Sequence, residues 1–147
     1  MPHRYANPAL GLLALRVGLG LIMVVNGAQK LFGLFGGGGP EGTAQFFASQ
    51  GIPVPAVTAV FVGIVEFAGG IAIMAGAWTH IAAILIAVVM AAATIIVHLP
   101  NGFTGEGGYA FTFILFLAAI ALFFVGPGQY SVDRRLHVGR EAHTTGT

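Results

Sequence analysis

Three ionisable side chains interrupt apolar stretches of this 147-residue sequence: Arg16 and Lys30 in the first stretch and Glu66 in the second. A charge at the centre of a membrane-spanning helix costs about 2.5 to 3.5 kcal/mol, so such residues face a bundle interior and mark sites. A carboxylate and a cation in one site can hydrogen-bond a polar ligand and exchange protons with it. These residues are therefore the first candidates for function.

Helical spacing adds further polar residues to this set. Arg16 and Lys30 share one helix stripe with Gly20 and Gly27, because steps of three and four residues separate them. Small residues in such a stripe let a neighbouring helix approach closely. The candidate ligand-binding residues are Arg16, Asn26, Gln29, Lys30, Glu66 and His98.

Depth in the membrane predicts which of these residues meet. At about 1.5 Å rise per residue, Arg16 and Lys30 lie about 21 Å apart along the helix axis, so Glu66 cannot pair with both. Glu66 lies near the middle of its stretch, closer in depth to Arg16, which predicts an Arg16–Glu66 pair. The pair either belongs to a functional pocket or only fixes helix register. Lys30 then forms an external cluster with Asn26 and Gln29, to which His98 and Glu106 contribute, or it extends its long stem to the surface.

The elements that must position these residues follow from composition. Hydrophobic residues make up 56% of the chain and charged residues 7%, which is typical of a membrane protein. Segments without period-two alternation must cross lipid as helices, of about 20 residues each. The sequence predicts an all-α, integral membrane four-helix bundle, forming one domain over 1–147, with spans at about 9–35, 57–77, 81–99 and 109–125.

The orientation of the bundle follows from its cations. Arg134, Arg135 and Arg140 follow the fourth stretch, so the positive-inside rule predicts that both termini and the tail, residues 130–147, are cytoplasmic. The loop 36–55 is then external, and its segment Thr43 to Gln50 is predicted to form a short amphipathic helix at the interface.

Several kinds of site are disfavoured. The chain has no cysteine, which excludes a thiol relay of its own. His80 and His98 would lie about 27 Å apart at opposite ends of one span, so they cannot ligate one haem within a protomer. We expect no haem and no metal, and the formal net charge of +1 without a basic stripe disfavours nucleic acid.

Six segments of the sequence together resemble the DoxX family of small four-helix bacterial inner-membrane proteins. They are RVGLGLIMVVNGAQKLFG (16–33), GIPVP (51–55), VEFAGGIAIMAGAWTHIAA (65–83), HLPNGF (98–103), GGYAF (107–111) and GPGQYSVD (126–133).

The resemblance implies a role in redox or sulfur metabolism, including oxidative-stress complexes and quinone chemistry, at the bacterial inner membrane. It places the family's polar signature on Arg16, Lys30, Glu66, His98 and Asp133. In one departure, Ala110 follows Tyr109 where many members carry an acidic residue, and the nearest carboxylate is Glu106.

The predicted function is the membrane component of a redox process, with a quinone or sulfur-containing molecule in a polar pocket between spans one, two and three. Without a redox centre of its own, the chain needs a partner, such as a soluble redox protein at the cytoplasmic face. Two alternatives remain: a proton-coupled carrier that uses Glu66, and a membrane anchor that recruits soluble enzymes through Arg134 and Arg135. Catalysis by this chain and homo-oligomerisation stay open.

Overall fold

The computed structural model describes residues 7–136, and all regular structure in this part of the chain is helical. Four of its five α-helices are strongly apolar, and the remaining one is short and less apolar. They are α1 (Pro8–Phe32), the short α2 (Gly39–Ser49), α3 (Pro55–Ala75), α4 (Thr79–Ala92) and α5 (Ala110–Val125), with α4 continuing through a π-helical segment (Ala93–His98) and a 3-10 turn (Leu99–Asn101).

Three of these helices are long and apolar enough to cross a membrane. They are α1 with 25 residues, α3 with 21, and α4 with its continuation to Asn101 with 23. The chain is therefore a multi-pass, all-helical membrane protein. The fourth apolar helix, α5, has 16 residues, so a fourth crossing and the cytoplasmic location of both termini remain predictions. Arg140 lies outside the described residues.

Local signals set the helix ends. At the start of α1, the Asn7 side chain accepts a hydrogen bond from the Leu10 amide at 3.2 Å, and Pro8 occupies the first turn. The helix ends at Gly33, whose φ of +66° is left-handed. The predicted stretch ran to residue 35 because Leu34 and Phe35 are also apolar. The short helix predicted over Thr43 to Gln50 corresponds to α2, which begins earlier, at Gly39, and ends at Ser49.

Helices α1 and α3 pack at the glycine stripe. A Cβ atom added to Gly27 would lie 2.4 Å from the Phe67 backbone nitrogen, and one added to Gly20 would lie 2.6 Å from the Gly70 carbonyl oxygen. Only glycine permits such an approach, so the predicted close contact is confirmed.

The bundle has two ends with different character. The tail end is where the segment after α5 contacts the first turns of α1, with Gly128 against Leu12. The α2 end is the opposite one. Between the middle of the bundle and the tail end lies a closely packed layer in which Met23, Ile73, Ile86 and Leu122 have no exposed surface.

Candidate functional site

The buried carboxylate of Glu66 pairs with Lys30. The Lys30 Nζ atom lies 2.7 Å from Glu66 Oε2, and the two side chains are 22% and 3% exposed. Gly63, one turn before Glu66, lets α3 approach α1 at this level, because a Cβ there would lie 2.8 Å from the Leu31 side chain and 3.3 Å from Lys30 Cβ. The predicted Arg16–Glu66 pair is therefore wrong, and the Lys30 ammonium faces a carboxylate instead of extending alone to the surface.

The error lies in the offset between α1 and α3. Gly63 is level with Lys30, and Phe67 is level with Gly27, so α3 begins beyond the point where α1 ends. Glu66 is three residues, or about 4.5 Å, from the level of Gly63, and a lysine stem spans that distance. The prediction takes the depth of Glu66 from its position within its own apolar stretch, which does not include this offset between the helices.

The Arg16 side chain donates four hydrogen bonds, all to backbone carbonyl groups. Its Nε donates to Ile73 O at 2.9 Å and its Nη2 to Met74 O at 2.8 Å, near the end of α3. Its Nη1 donates to Pro127 O at 2.7 Å and Tyr130 O at 2.8 Å, in the segment after α5. The side chain is 1% exposed. Arg16 therefore connects two segments at the tail end, and it lies apart from the cavity that Glu66 lines.

A cavity of about 700 Å³ occupies the α2 end of the bundle, between α1, α3, α4 and α5. Most of its lining is apolar, and Phe46 and Phe47 of α2 contribute to it. Four of the candidate residues line this cavity: Asn26, Lys30, Glu66 and His98. Ligand binding by them remains a prediction.

The polar groups of the cavity have unused hydrogen-bonding capacity. Within residues 7–136, neither the Asn26 amide nor Glu66 Oε1 has a hydrogen-bond partner. An ionised carboxylate accepts at both oxygens and an amide both donates and accepts. A ligand in this cavity would therefore find a donor and two kinds of acceptor beside an apolar wall.

His98 lies at the end of the π-helical segment, where the π-turn and the following Pro100 end regular α4 geometry. Its Nδ1 lies 2.6 Å from Gly107 O. A carbonyl oxygen only accepts, so Nδ1 carries a hydrogen and Nε2 is the ring nitrogen left for another partner. Single π-turns are frequent at functional sites.

Two other predicted members of the outer cluster lie elsewhere. Gln29 donates to Phe35 O at 3.2 Å and lines a second, smaller pocket at the α2 end. Glu106 is exposed in the loop before α5 and does not line the cavity. The expected outer cluster is thus not assembled in one place: Gln29 lines the smaller pocket instead of the cavity, and Glu106 lines neither.

Two features of the structure escaped sequence reasoning. Thr112 of α5 lines the cavity and hydrogen-bonds Thr94 at 2.8 Å, although the pocket was predicted between the first three spans. Asp133 accepts hydrogen bonds from the amides of Trp78 and Thr79 at 2.8 and 3.0 Å and so caps the start of α4. Asp133 lies 54 residues from Thr79 along the chain, so no sequence pattern near the start of α4 indicates this cap.

Curated relatives resemble the chain over most of its length. CatD of Bacillus subtilis (strain 168), named provisionally as an oxidoreductase, is 33% identical over 132 residues, covering 90% of this chain and 91% of CatD. The inner membrane protein YphA of Escherichia coli (strain K12) is 31% identical, covering 88% of this chain and 92% of YphA.

A third relative, the membrane protein Rv3486 of Mycobacterium tuberculosis (strain ATCC 25618 / H37Rv), is 30% identical, covering 91% of this chain and 85% of Rv3486. No solved structure matches the chain. The DoxX family model matches residues 11–99, which include the helices that carry Arg16, Lys30, Glu66 and His98. The chain belongs to the DoxX family.

Proposed function

We propose that this protein is the inner-membrane component of a redox process and that it binds a quinone-type molecule in the cavity at the α2 end. The observation that carries the proposal is the Lys30–Glu66 pair in the wall of an otherwise apolar cavity of about 700 Å³. Pockets for small molecules are mostly apolar, with a few placed polar groups that fix orientation.

Each polar group has a defined part in this proposal. A quinone presents two carbonyl oxygens on an apolar ring. The Lys30 ammonium donates to one of them and the Asn26 amide to the other. Reduction to the quinol takes up two electrons and two protons. Glu66 and the Nε2 atom of His98 each take up a proton from water and pass it to a quinone oxygen, while a soluble redox protein supplies the two electrons.

The relatives support two parts of the proposal, the redox role and the location in the inner membrane. CatD is named provisionally as an oxidoreductase, which favours a redox role over a purely structural one. YphA is named as an inner membrane protein, which favours the same location for this chain. The quinone itself rests on the chemistry of the cavity.

Binding of a short-chain quinone analogue to the purified protein in mild detergent tests the proposal. We expect Asn26→Leu to weaken binding about tenfold if one hydrogen bond of about 1.4 kcal/mol is lost. Gln29→Leu is the matched control, because Gln29 is on the same helix but does not line the cavity, and it should leave affinity unchanged.

A wild type that binds no quinone analogue, or equal affinity in both variants, would contradict this ligand. The anchor alternative makes a different prediction. It requires that replacing Arg134 and Arg135, both exposed, abolishes recruitment of a soluble partner while Asn26→Leu has no effect.

A further inference from the structure

The cavity at the α2 end is confined to one half of the bundle. Its lining comes from residues 26–30 of α1, 58–66 of α3, 88–98 of α4 and its continuation, and 111–115 of α5. No described residue from the tail half of these helices lines it. A ligand or water molecule in the cavity is therefore separated from the tail end by the packed half.

The half that separates the cavity from the tail end is closely packed by apolar side chains. Met23, Ile73, Ile86 and Leu122 have no exposed surface, and the α1–α3 contact leaves no room for even a methyl group at Gly20. Beyond this layer, the Arg16 guanidinium donates only to carbonyl oxygens that belong to the backbone.

Each end of the bundle has a further pocket. The one at the tail end, of about 650 Å³ and lined by Thr79, Asp133 and their neighbours, shares no residue with the cavity. The one at the α2 end, of about 320 Å³, does share residues with it. It is lined by backbone of the glycine-rich loop and α2, including the exposed Gly38, and by Gln29. Lys30, Phe46 and Phe47 line both this pocket and the cavity. Among these three shared residues, only Lys30 is polar, and its ammonium binds Glu66.

We infer that Lys30 and Glu66 form a one-sided route for protons, which connects the cavity to water at the α2 end and not to the tail end. The inference rests on the proposed function, because it names the side from which a ligand in this cavity receives or loses protons. A proton passes between water in the small pocket and Glu66 beside Lys30, and then to or from the oxygen of the ligand.

The groups that face Glu66 are few. Lys30 faces it from α1, and His98 lines the same cavity at the end of α4. The residues of α2, α3 and α5 that line the cavity include no titratable group besides Glu66 itself, within the described chain. Lys30 is therefore the titratable group in contact with Glu66, His98 is the other one in the cavity wall, and both are at the α2 end.

The first test measures from which side of the membrane position 30 is accessible to a thiol reagent. The chain has no cysteine, so an introduced cysteine is labelled without background. Single-cysteine variants in lipid vesicles are treated from one side with a membrane-impermeant, cationic methanethiosulfonate. Glu106→Cys marks the α2 end, Trp78→Cys marks the tail end, and Met23→Cys is the buried control. We expect Lys30→Cys to react from the same side as Glu106→Cys only. Reaction from the side of Trp78→Cys, or from neither side, would overturn the inference.

Lys30→Cys also removes the ion-pair partner of Glu66, which could destabilise the fold. A second measurement therefore restores the ammonium group chemically, so that loss of folding is distinguished from loss of access. Alkylation with bromoethylamine converts the cysteine into a lysine analogue with the ammonium restored. We expect the melting temperature to return to near the wild-type value when the reagent is added at the α2 side. No recovery with complete alkylation would mean that the ammonium is not what Glu66 requires.

Proton exchange itself is read from the carboxyl band of Glu66 by infrared difference spectroscopy, with Glu66→Gln as the control that lacks the band. We expect a pH step at the α2 side of oriented vesicles to change the band, and a step at the other side to leave it unchanged. A response to the tail side, or to neither side, contradicts the route. Because no quinone is present, failure of the proposed ligand would not affect these results.

Discussion

Among the described residues, Glu66 is the one carboxylate that lines the cavity, and one cation at 2.7 Å balances its charge. Removing one partner of a buried ion pair leaves the other charge uncompensated, which costs about 3 to 5 kcal/mol. Replacing both partners by apolar residues of similar volume avoids this cost. A double apolar replacement therefore separates the effect of the pair on stability, which it restores, from its effect on ligand binding, which it does not restore.

We expect Lys30→Met to lower the free energy of unfolding by about 3 to 5 kcal/mol, and the double variant Lys30→Met with Glu66→Leu to recover much of the loss. Denaturant unfolding in detergent measures both. The double variant should still fail to bind the quinone analogue. A double variant at least as destabilised as Lys30→Met would show that the residues do not interact and that the contact is wrong.

Arg16 has the opposite character, since its acceptors are all backbone carbonyls. Arg16→Lys keeps the charge but loses the planar fork of donors, and each buried acceptor left without a donor costs about 1 to 3 kcal/mol. We expect a loss of about 3 kcal/mol in unfolding free energy with unchanged affinity for the quinone analogue, measured on folded protein. Weakened binding at unchanged stability would return Arg16 to the ligand site.

At the scale of helices, the offset between α1 and α3 decides which charges meet. The sequence indicates the helices well, because long apolar runs and the glycines at positions 33 and 76 define their extents. It does not indicate the offset, which depends on how the chain 33–54 folds and where glycines from two helices face one another. The site residues Lys30 and Glu66 could thus be selected by the cost of burial, while their pairing could not.

Two glycines of α1 give a matched test of this contact. We expect Gly27→Ala to destabilise the protein by about 1 to 3 kcal/mol through overpacking, because the new methyl group would meet the backbone of Phe67. Gly18→Ala is the control, since nothing lies within 4 Å of its added Cβ. Thermal unfolding compares them, and equal melting temperatures would contradict the close α1–α3 contact.

The start of α4 depends on a distant carboxylate. Asp133→Ala removes the acceptor for the amides of Trp78 and Thr79, so we expect a loss of about 1 to 2 kcal/mol. The neighbouring exposed Arg134 provides the control variant, Arg134→Ala. Hydrogen exchange at the first turn of α4 should increase in the Asp133 variant alone; unchanged exchange there would show that the cap contributes little.

At the scale of the whole molecule, the start of α1 and the segment after α5 meet at the tail end. The predicted topology places this end in the cytoplasm, because Arg134 and Arg135 follow α5. A pair of reporters fused after Thr147, one active only inside and one only outside, measures the side. We expect activity from the internal reporter, and activity from the external one would invert the bundle.

The hydrogen bonds of Arg16 also impose an order on biogenesis. The ribosome completes α1 long before it reaches Pro127 and Tyr130, which supply two of the four carbonyl acceptors of this arginine. Until then the first helix resides in the bilayer with an incompletely solvated cation, which favours retention near the insertion machinery or water. Final assembly therefore awaits nearly the last part of the chain, and nascent chains that stop short of residue 127 should be marked for degradation.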